Sequence, residues 1–340
     1  FVQFYFGLPI AMVIICLVFI PIYHRLKVFT AYEYLETRFD LKTRTLTAIL
    51  FLIQRGLAAG ITIFAPAIIL SAVLGWNLVI LNIFIGVLVI IYTVSGGTKA
   101  VSVTQKQQMG IIFGGMFLAF LLILNYLSLD ITFSKALEIA GASGKMEILD
   151  FSFDFNNKYT FWSGIIGGSF LALSYFGTDQ SQVQRYLSGK SMKEMQMGLI
   201  FNGLLKIPMQ FFILLVGVMV FVFYQFNSSP LHFNPSAVND VLNSRYAGQY
   251  QELQNKKNTL ELAIKEQQLN YAVLDNQGQK QTVLLDIKAL QQQEDQLRIA
   301  SKELIKKANP KAETNDKDYV FIHFILNNLP RGLIGLLLAV

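Results

Sequence analysis

Apolar runs close to the length of a membrane crossing recur along most of this chain. Seven stand out, at 4–23, 46–74, 76–94, 109–126, 161–177, 198–226 and 320–340. A helix needs about 20 apolar residues to cross roughly 30 Å of hydrocarbon, and several of the runs reach that length. The second and sixth are long enough to tilt, or to bend at Pro66 and Pro208. The fifth behaves differently. After FWSGIIGGSFLAL (161–173) the chain reads SYFGTDQSQVQRYLSGKS (174–191), and turns polar before a crossing is complete.

A second pattern occupies 227–319, whose middle is rich in Gln, Lys and Glu. Tyr246, Tyr250, Leu253, Lys257, Leu260, Ile264, Gln267, Tyr271 and Leu274 recur at steps of four and three. Beyond DNQGQKQ (275–281), Val283, Ile287, Leu290, Glu294, Leu297, Ser301 and Leu304 do the same. Two heptad-patterned helices around a Gly-containing turn predict an antiparallel coiled-coil hairpin projecting from the membrane. Its expected role is to dock an external protein partner or a second copy.

Composition agrees with an integral membrane protein, since 53% of the 340 residues are hydrophobic and only 15% charged. The single cysteine, Cys16, excludes an internal disulfide. A net charge of +6 spread over short loops does not argue for nucleic acid. Arg25, Lys27, Arg38, Lys42 and Arg44 share the loop 24–44, Lys99 and Lys106 follow the third run, and Arg185, Lys190 and Lys193 follow the fifth. By the positive-inside rule these loops are cytoplasmic, which puts 127–159 and 227–319 outside. The expected location is a plasma membrane, the bacterial inner membrane. The chain lacks an initial Met and ends within GLIGLLLAV, so it reads as a fragment cut at both ends. The expected division is a transmembrane core of six spans over 1–226, an outer insert over 227–319 and the start of another span over 320–340.

Chemistry is expected where a span breaks, because non-helical backbone survives in lipid only when buried in protein or lining a cavity. Gly177 and Thr178 are the candidate hinge. Freed backbone groups there, with Tyr175 and Asp179, are candidate contacts for a solute. The competing reading ends the span at Gly177 and lays SQVQRYL on the surface as an amphipathic helix. Arg55 lies roughly ten residues into the second run, where an unpaired charge costs about 2.5–3.5 kcal/mol. A solute carboxylate, a protein acid or carbonyl, or snorkelling would each offset that cost, and a solute-facing role is favoured. Lys206 lies nearer the inner edge. SGG (95–97) reads as a turn into the fourth run. No P-loop, HExxH, GxSxG or Cys/His cluster is present, and nothing supports an enzyme.

AYEYLETRF (31–39), YTVSGGTKAV (92–101) and FGTDQSQVQRYLSGKS (176–191) resemble, in this order, signatures of the sodium/solute symporters. The resemblance covers all but 227–319. It implies an all-α fold of the leucine-transporter type, with two inverted five-helix repeats and a midplane solute site. It implies Na+ as the coupling ion and an interrupted fifth run. Tyr175 matches the aromatic that closes over the solute from inside, and Lys206 a lysine that reaches it. Arg55 is similar to the arginine that holds the carboxylate in sialic-acid carriers. Gln105 stands where many members have an aspartate tied to sodium, which puts two-sodium stoichiometry in doubt. Ala172 and Ser174 replace larger residues of sugar carriers. The principal sodium ligands are expected outside 1–340.

Together these lines predict a sodium-coupled symporter importing a small organic solute, an anion such as a sialic acid or monocarboxylate. A neutral sugar or polyol symporter and a symporter-like sensor module are the alternatives.

Overall fold

The computed structural model describes residues 2–26, 30–154, 156–187, 189 and 191–338. Lys27 and Lys190, used above for orientation, lie outside the described residues, as do the side chain of Lys99 and the last two residues of the run 320–340. Among the described residues every regular element is a helix. In chain order these are α1 (Val2–Leu26), α2 (Ala31–Arg38), α3 (Leu41–Leu74), α4 (Leu78–Gly97), α5 (Ala100–Leu127), α6 (Phe133–Ala142) and α7 (Phe161–Gly177). There follow α8 (Gln180–Leu187), α9 (Met192–Phe226), α10 (Pro235–Leu242), α11 (Ala247–Val273), α12 (Gln277–Ala308), α13 (Tyr319–Asn328) and α14 (Arg331–Leu338). Five of them, α1, α3, α4, α5 and α9, are long and apolar enough to cross a membrane, and α7 is a shorter apolar helix. Pro66 and Pro208 both lie inside continuous helices.

The run 320–340 departs from the expected single span. It is divided between α13 and α14 at Leu329, which is extended (φ −93°, ψ 152°). Pro330 is the cause, because its ring disfavours the helical region for the residue before it.

The chain packs into two compact units, Phe1–Ile61 with Glu147–Leu214, and Thr62–Met146 with Leu215–Val340. In the first, α1 and α7 pack with their backbones in contact. A Cβ at Gly164 or Gly168 would collide with the carbonyls of Gln3 and Phe4, and one at Gly7 with the backbone of Ser169. Small residues permit that approach between apolar helices that lack a hydrophobic drive to associate. Within α1, Ile15–Phe19 forms a π-helical turn. A buried cluster joins Ile15, Ile20 and Tyr23 of α1 to Ala31 and Tyr32 of α2, Phe176 of α7, and Val183 and Tyr186 of α8. Two of the three sequence signatures therefore meet in one core.

In the second unit Gly75 (φ +69°) turns the chain between α3 and α4, and Asn77 caps α4 by accepting from Val79 and Ile80 N–H. Gly97 separates α4 from α5 at φ +58°, ψ −164°, a conformation in effect reserved for glycine. SGG is thus a kink at Gly97 and not the expected turn, since Ser95 and Gly96 stay helical. α11 and α12 pack along most of their length through Tyr250, Lys257, Ile264 and Tyr271 on one side and Val283, Ile287, Ser301 and Leu304 on the other. Gln268, not Gln267, is the buried glutamine, and Leu274 falls in the turn. Lys257 is fully buried. It donates to the Ser229 carbonyl (3.0 Å) and hydroxyl (2.7 Å), pairs with Glu261 and lies 3.6 Å from Glu294.

The helical pair is tied to its neighbours at both ends. Lys265 pairs with Asp130 (3.0 Å), Lys280 with Glu138 on α6, and Gln291 donates to Gln225 at the end of α9 (2.9 Å). Burial and the Arg298–Asp316 pair fix the opposite end, where Asp316 also accepts from Phe233 N–H.

Candidate functional site

The break in the fifth run is real, and lies in the first unit. α7 starts at a capping box in which Thr160 and Ser163 satisfy each other's backbone N–H groups, and runs to Gly177. Thr178 is non-helical (φ −126°, ψ −20°), and α8 begins at Gln180. α8 is no loose surface helix, because Val183 and Tyr186 are buried in the core shared with α1 and α2. Several polar groups of the link have partners, which buried backbone requires. Thr178 N–H and hydroxyl return to the Ser174 carbonyl (3.3 and 2.9 Å). The Asp179 carbonyl accepts from Gln182 and Val183 N–H, while its Oδ1 accepts from Ser181 N–H (2.9 Å) and hydroxyl (2.7 Å).

The Gly177 carbonyl, expected to face a solute, accepts from the Tyr23 hydroxyl instead (2.9 Å, buried). Gly177 is needed at this place because Phe19 covers it. An added Cβ would lie 3.2 Å from the Phe19 ring.

Arg55 meets the break. Its guanidinium pairs with Asp179 Oδ2 and lies 5.6 Å from the centre of the Tyr175 ring. Of the partners left open for a charge at this depth, the fold supplies the protein acid. Arg55 Nε is buried without a hydrogen-bond partner among the described residues. Tyr175 is held in turn, since its hydroxyl accepts from Gln182 Nε2 (2.9 Å). A cavity of about 520 Å³ opens beside the link, bordered by Tyr23, Tyr32, Gln54, Tyr175, Thr178 and Asp179.

Tyr175 also borders a second, more apolar cavity of about 270 Å³, with Tyr5, Leu8, Ala172, Phe176 and Lys206. There the Lys206 ammonium lies 5.5 Å from the Tyr5 ring and 5.9 Å from that of Phe176. No carboxylate among the described residues lies within ion-pair distance of it. The four predicted contact residues thus divide in two. Arg55, Tyr175 and Asp179 form one cluster, and Lys206 reaches the other side of Tyr175.

Sequence reasoning missed Tyr23 and Gln180. Tyr23 reads as an interfacial aromatic ending a span. Gln180, whose Oε1 accepts from Ala31 N–H (2.9 Å), reads as one of several polar residues in a signature. Neither carries a local signal, because each partner is about 150 positions away in sequence.

Membrane-length helices packed with a helix interrupted at a polar link define a multi-pass membrane protein with a transporter-type broken span. The chain belongs to the sodium:solute symporter family, whose model matches residues 1–252. It is 34% identical over 184 residues to the mouse sodium-coupled monocarboxylate transporter 2, covering 54% of this chain and 29% of that protein. It is 32% identical over 214 residues to the human sodium/iodide cotransporter, covering 62% and 32%. A rabbit sodium-dependent multivitamin transporter is 33% identical over 213 residues, covering 61% and 32%. The chain spans about a third of the length of these curated relatives, all of which are transporters. A solved structure of a Na+-coupled sialic acid symporter, substrate-bound and outward-open, superposes with TM-score 0.57 over 99% of this chain and 66% of that one, at 23% identity. That likeness shows the shared fold.

Proposed function

We propose that this chain is part of a sodium-coupled symporter that imports a small organic anion through two inverted helical repeats. The observation that carries the solute class is Lys206. An ammonium set among aromatic rings in a small apolar cavity, with no acid among the described residues in ion-pair contact, is a counter-charge for a carboxylate. Arg55, already neutralised by Asp179, is not the first contact but belongs to the link beneath Tyr175. The cavity, about 270 Å³, lies below the ~300–1,000 Å³ usual for ligand pockets, which favours a monocarboxylate over a sialic acid. The relatives named for monocarboxylate transport support the same reading. With the basic loops cytoplasmic, the Tyr175 link is the inner side of the path and 227–319 lies outside. There the α11–α12 pair, read as a coiled coil, serves as a docking surface for an external protein.

The full-length protein in proteoliposomes tests this by uptake of labelled carboxylates and neutral sugars, each with and without an inward sodium gradient. Sodium-driven carboxylate uptake, with KM raised about tenfold or more in Lys206→Gln as expected for a lost charge-assisted contact, is the expected result. Sodium-driven sugar uptake indifferent to Lys206 would retain the symporter and reject the anion. No uptake of either would reject transport in favour of a sensing role.

A further inference from the structure

Three tethers from three different helices converge on the four residues Gly177–Gln180. Tyr23 of α1 donates to the Gly177 carbonyl, Arg55 of α3 pairs with Asp179, and the first N–H of α2, Ala31, donates to the Gln180 side chain. The charged tether is the conspicuous one, but the two neutral ones hold backbone. Tyr23 satisfies the last carbonyl of α7, and Gln180 satisfies an N-terminal N–H of α2, whose cap Thr30 already serves Glu33. Each of those backbone groups would otherwise be at least partly buried without this partner, which costs free energy. All three tethers meet the link just after Tyr175, beside the larger cavity, and Tyr175 itself borders both cavities.

We infer that Tyr23 and Gln180 are positioning residues that hold the α7–α8 link, and with it Tyr175, in the closed arrangement, so that the inner cavity border opens only when both hydrogen bonds are released. This rests on the transport reading above, in which the link is the inner side of the path. Neither residue touches the solute. They act through the link, by setting how often Tyr175 leaves the border. Tyr186 supplies the matched comparison, because its hydroxyl is buried in the same core yet has no hydrogen-bond partner among the described residues.

The test uses the full-length protein in inside-out vesicles, with Cys16→Ala removing the native thiol of this chain and Ala172→Cys placed behind Tyr175 as reporter. A membrane-impermeant maleimide is added from the cytoplasmic face. Loss of one buried hydrogen bond in Tyr23→Phe is expected to raise the labelling rate about fivefold or more, and Tyr186→Phe to leave it within about twofold. Gln180→Met removes the second tether, is expected to act in the same direction, and stands in should Tyr23→Phe fail to fold. Equal labelling in Tyr23→Phe and Tyr186→Phe, or an equal rise in both, would overturn the inference. Sodium-driven uptake in the same vesicles is read separately. Its absence beside Tyr23-specific labelling would reject the transport reading and keep the latch.

Discussion

The Arg55–Asp179 pair allows a charge and a helix cap to be measured apart. Asp179 uses one carboxylate oxygen to cap α8 through Ser181 and the other to pair with Arg55. Asp179→Asn keeps an oxygen for the cap and removes the charge, and Asp179→Ala removes both. The side chains are 9% and 29% exposed, between a surface pair worth ~0–1 kcal/mol and a buried one whose breakage costs ~3–5 kcal/mol. Asp179→Asn is therefore expected to cost about 2 kcal/mol, and Asp179→Ala about 1 kcal/mol more for the lost cap. Arg55→Gln should cost about 2–3 kcal/mol, since it leaves a mostly buried carboxylate without its cation. Because both single changes remove the same interaction, the double variant should fall short of their sum by about 1–2 kcal/mol. Unfolding of the full-length protein in mixed detergent micelles, followed by tryptophan fluorescence, supplies the four free energies. Coupling below about 0.5 kcal/mol would show that the pair contributes nothing and that the link is held by other contacts.

Gly97→Ala forces a Cβ into a backbone region close to glycine-only, and should cost about 1–3 kcal/mol, read as reduced folded yield and a lower unfolding midpoint. His232 is buried in the segment 227–319 with its pKa lowered, chiefly by desolvation. Asp316 opposes that shift, and Lys302 and Arg298 reinforce it. Its Nδ1 accepts from Asn234 N–H (3.3 Å), so the fold holds the neutral ring. The contribution is full above the unfolded value of about 6.5 and is lost as pH falls below it, so protease cleavage of 227–319 should rise between about pH 7 and 5. His232→Gln should flatten that rise. Deleting 247–308 removes the partners of Asp130, Glu138 and Gln225, and is expected to lower stability while sodium-driven uptake persists. Complete loss of uptake by a folded deletion would give the insert a part in transport.

The helices were legible because hydrophobic length and period are local properties of a sequence. The polar interruption after Leu173 located the break to within a few residues, and the four–three recurrence from Tyr246 to Leu304 gave both helices of the pair and four of the five residues buried on α11. What escaped depends on distant chain. Arg55 announced a need for compensation, but three kinds of partner met it equally well on paper, and only the fold selects Asp179, 124 residues away. The Gly177 carbonyl was read as free because a break frees it in principle. That Tyr23 reaches it follows from how α1 lies on α7. Lys257 fitted the heptad although lysine is seldom buried. Its tolerance rests on Ser229, Glu261 and Glu294, which no period reveals.

The π-helical turn Ile15–Phe19 fixes the phase of α1. Each residue advances a regular helix by about 100°, so Gly7 and Tyr23, 16 positions apart, would point about 160° away from each other. A π turn absorbs one residue, which brings the two within about 60° and lets both ends of α1 address α7. Gly7 lies against Ser169, and Tyr23 reaches Gly177. The turn therefore works as a crank whose angle is set by how the backbone is wound. Side-chain changes within ICLVF that conserve volume should be tolerated. Removing one of the five residues would leave a regular α-helix with Tyr23 still about 60° from Gly7, whereas an unbroken α-helix of the present length would swing Tyr23 off the break. At this place the winding of the helix, more than its composition, carries the information.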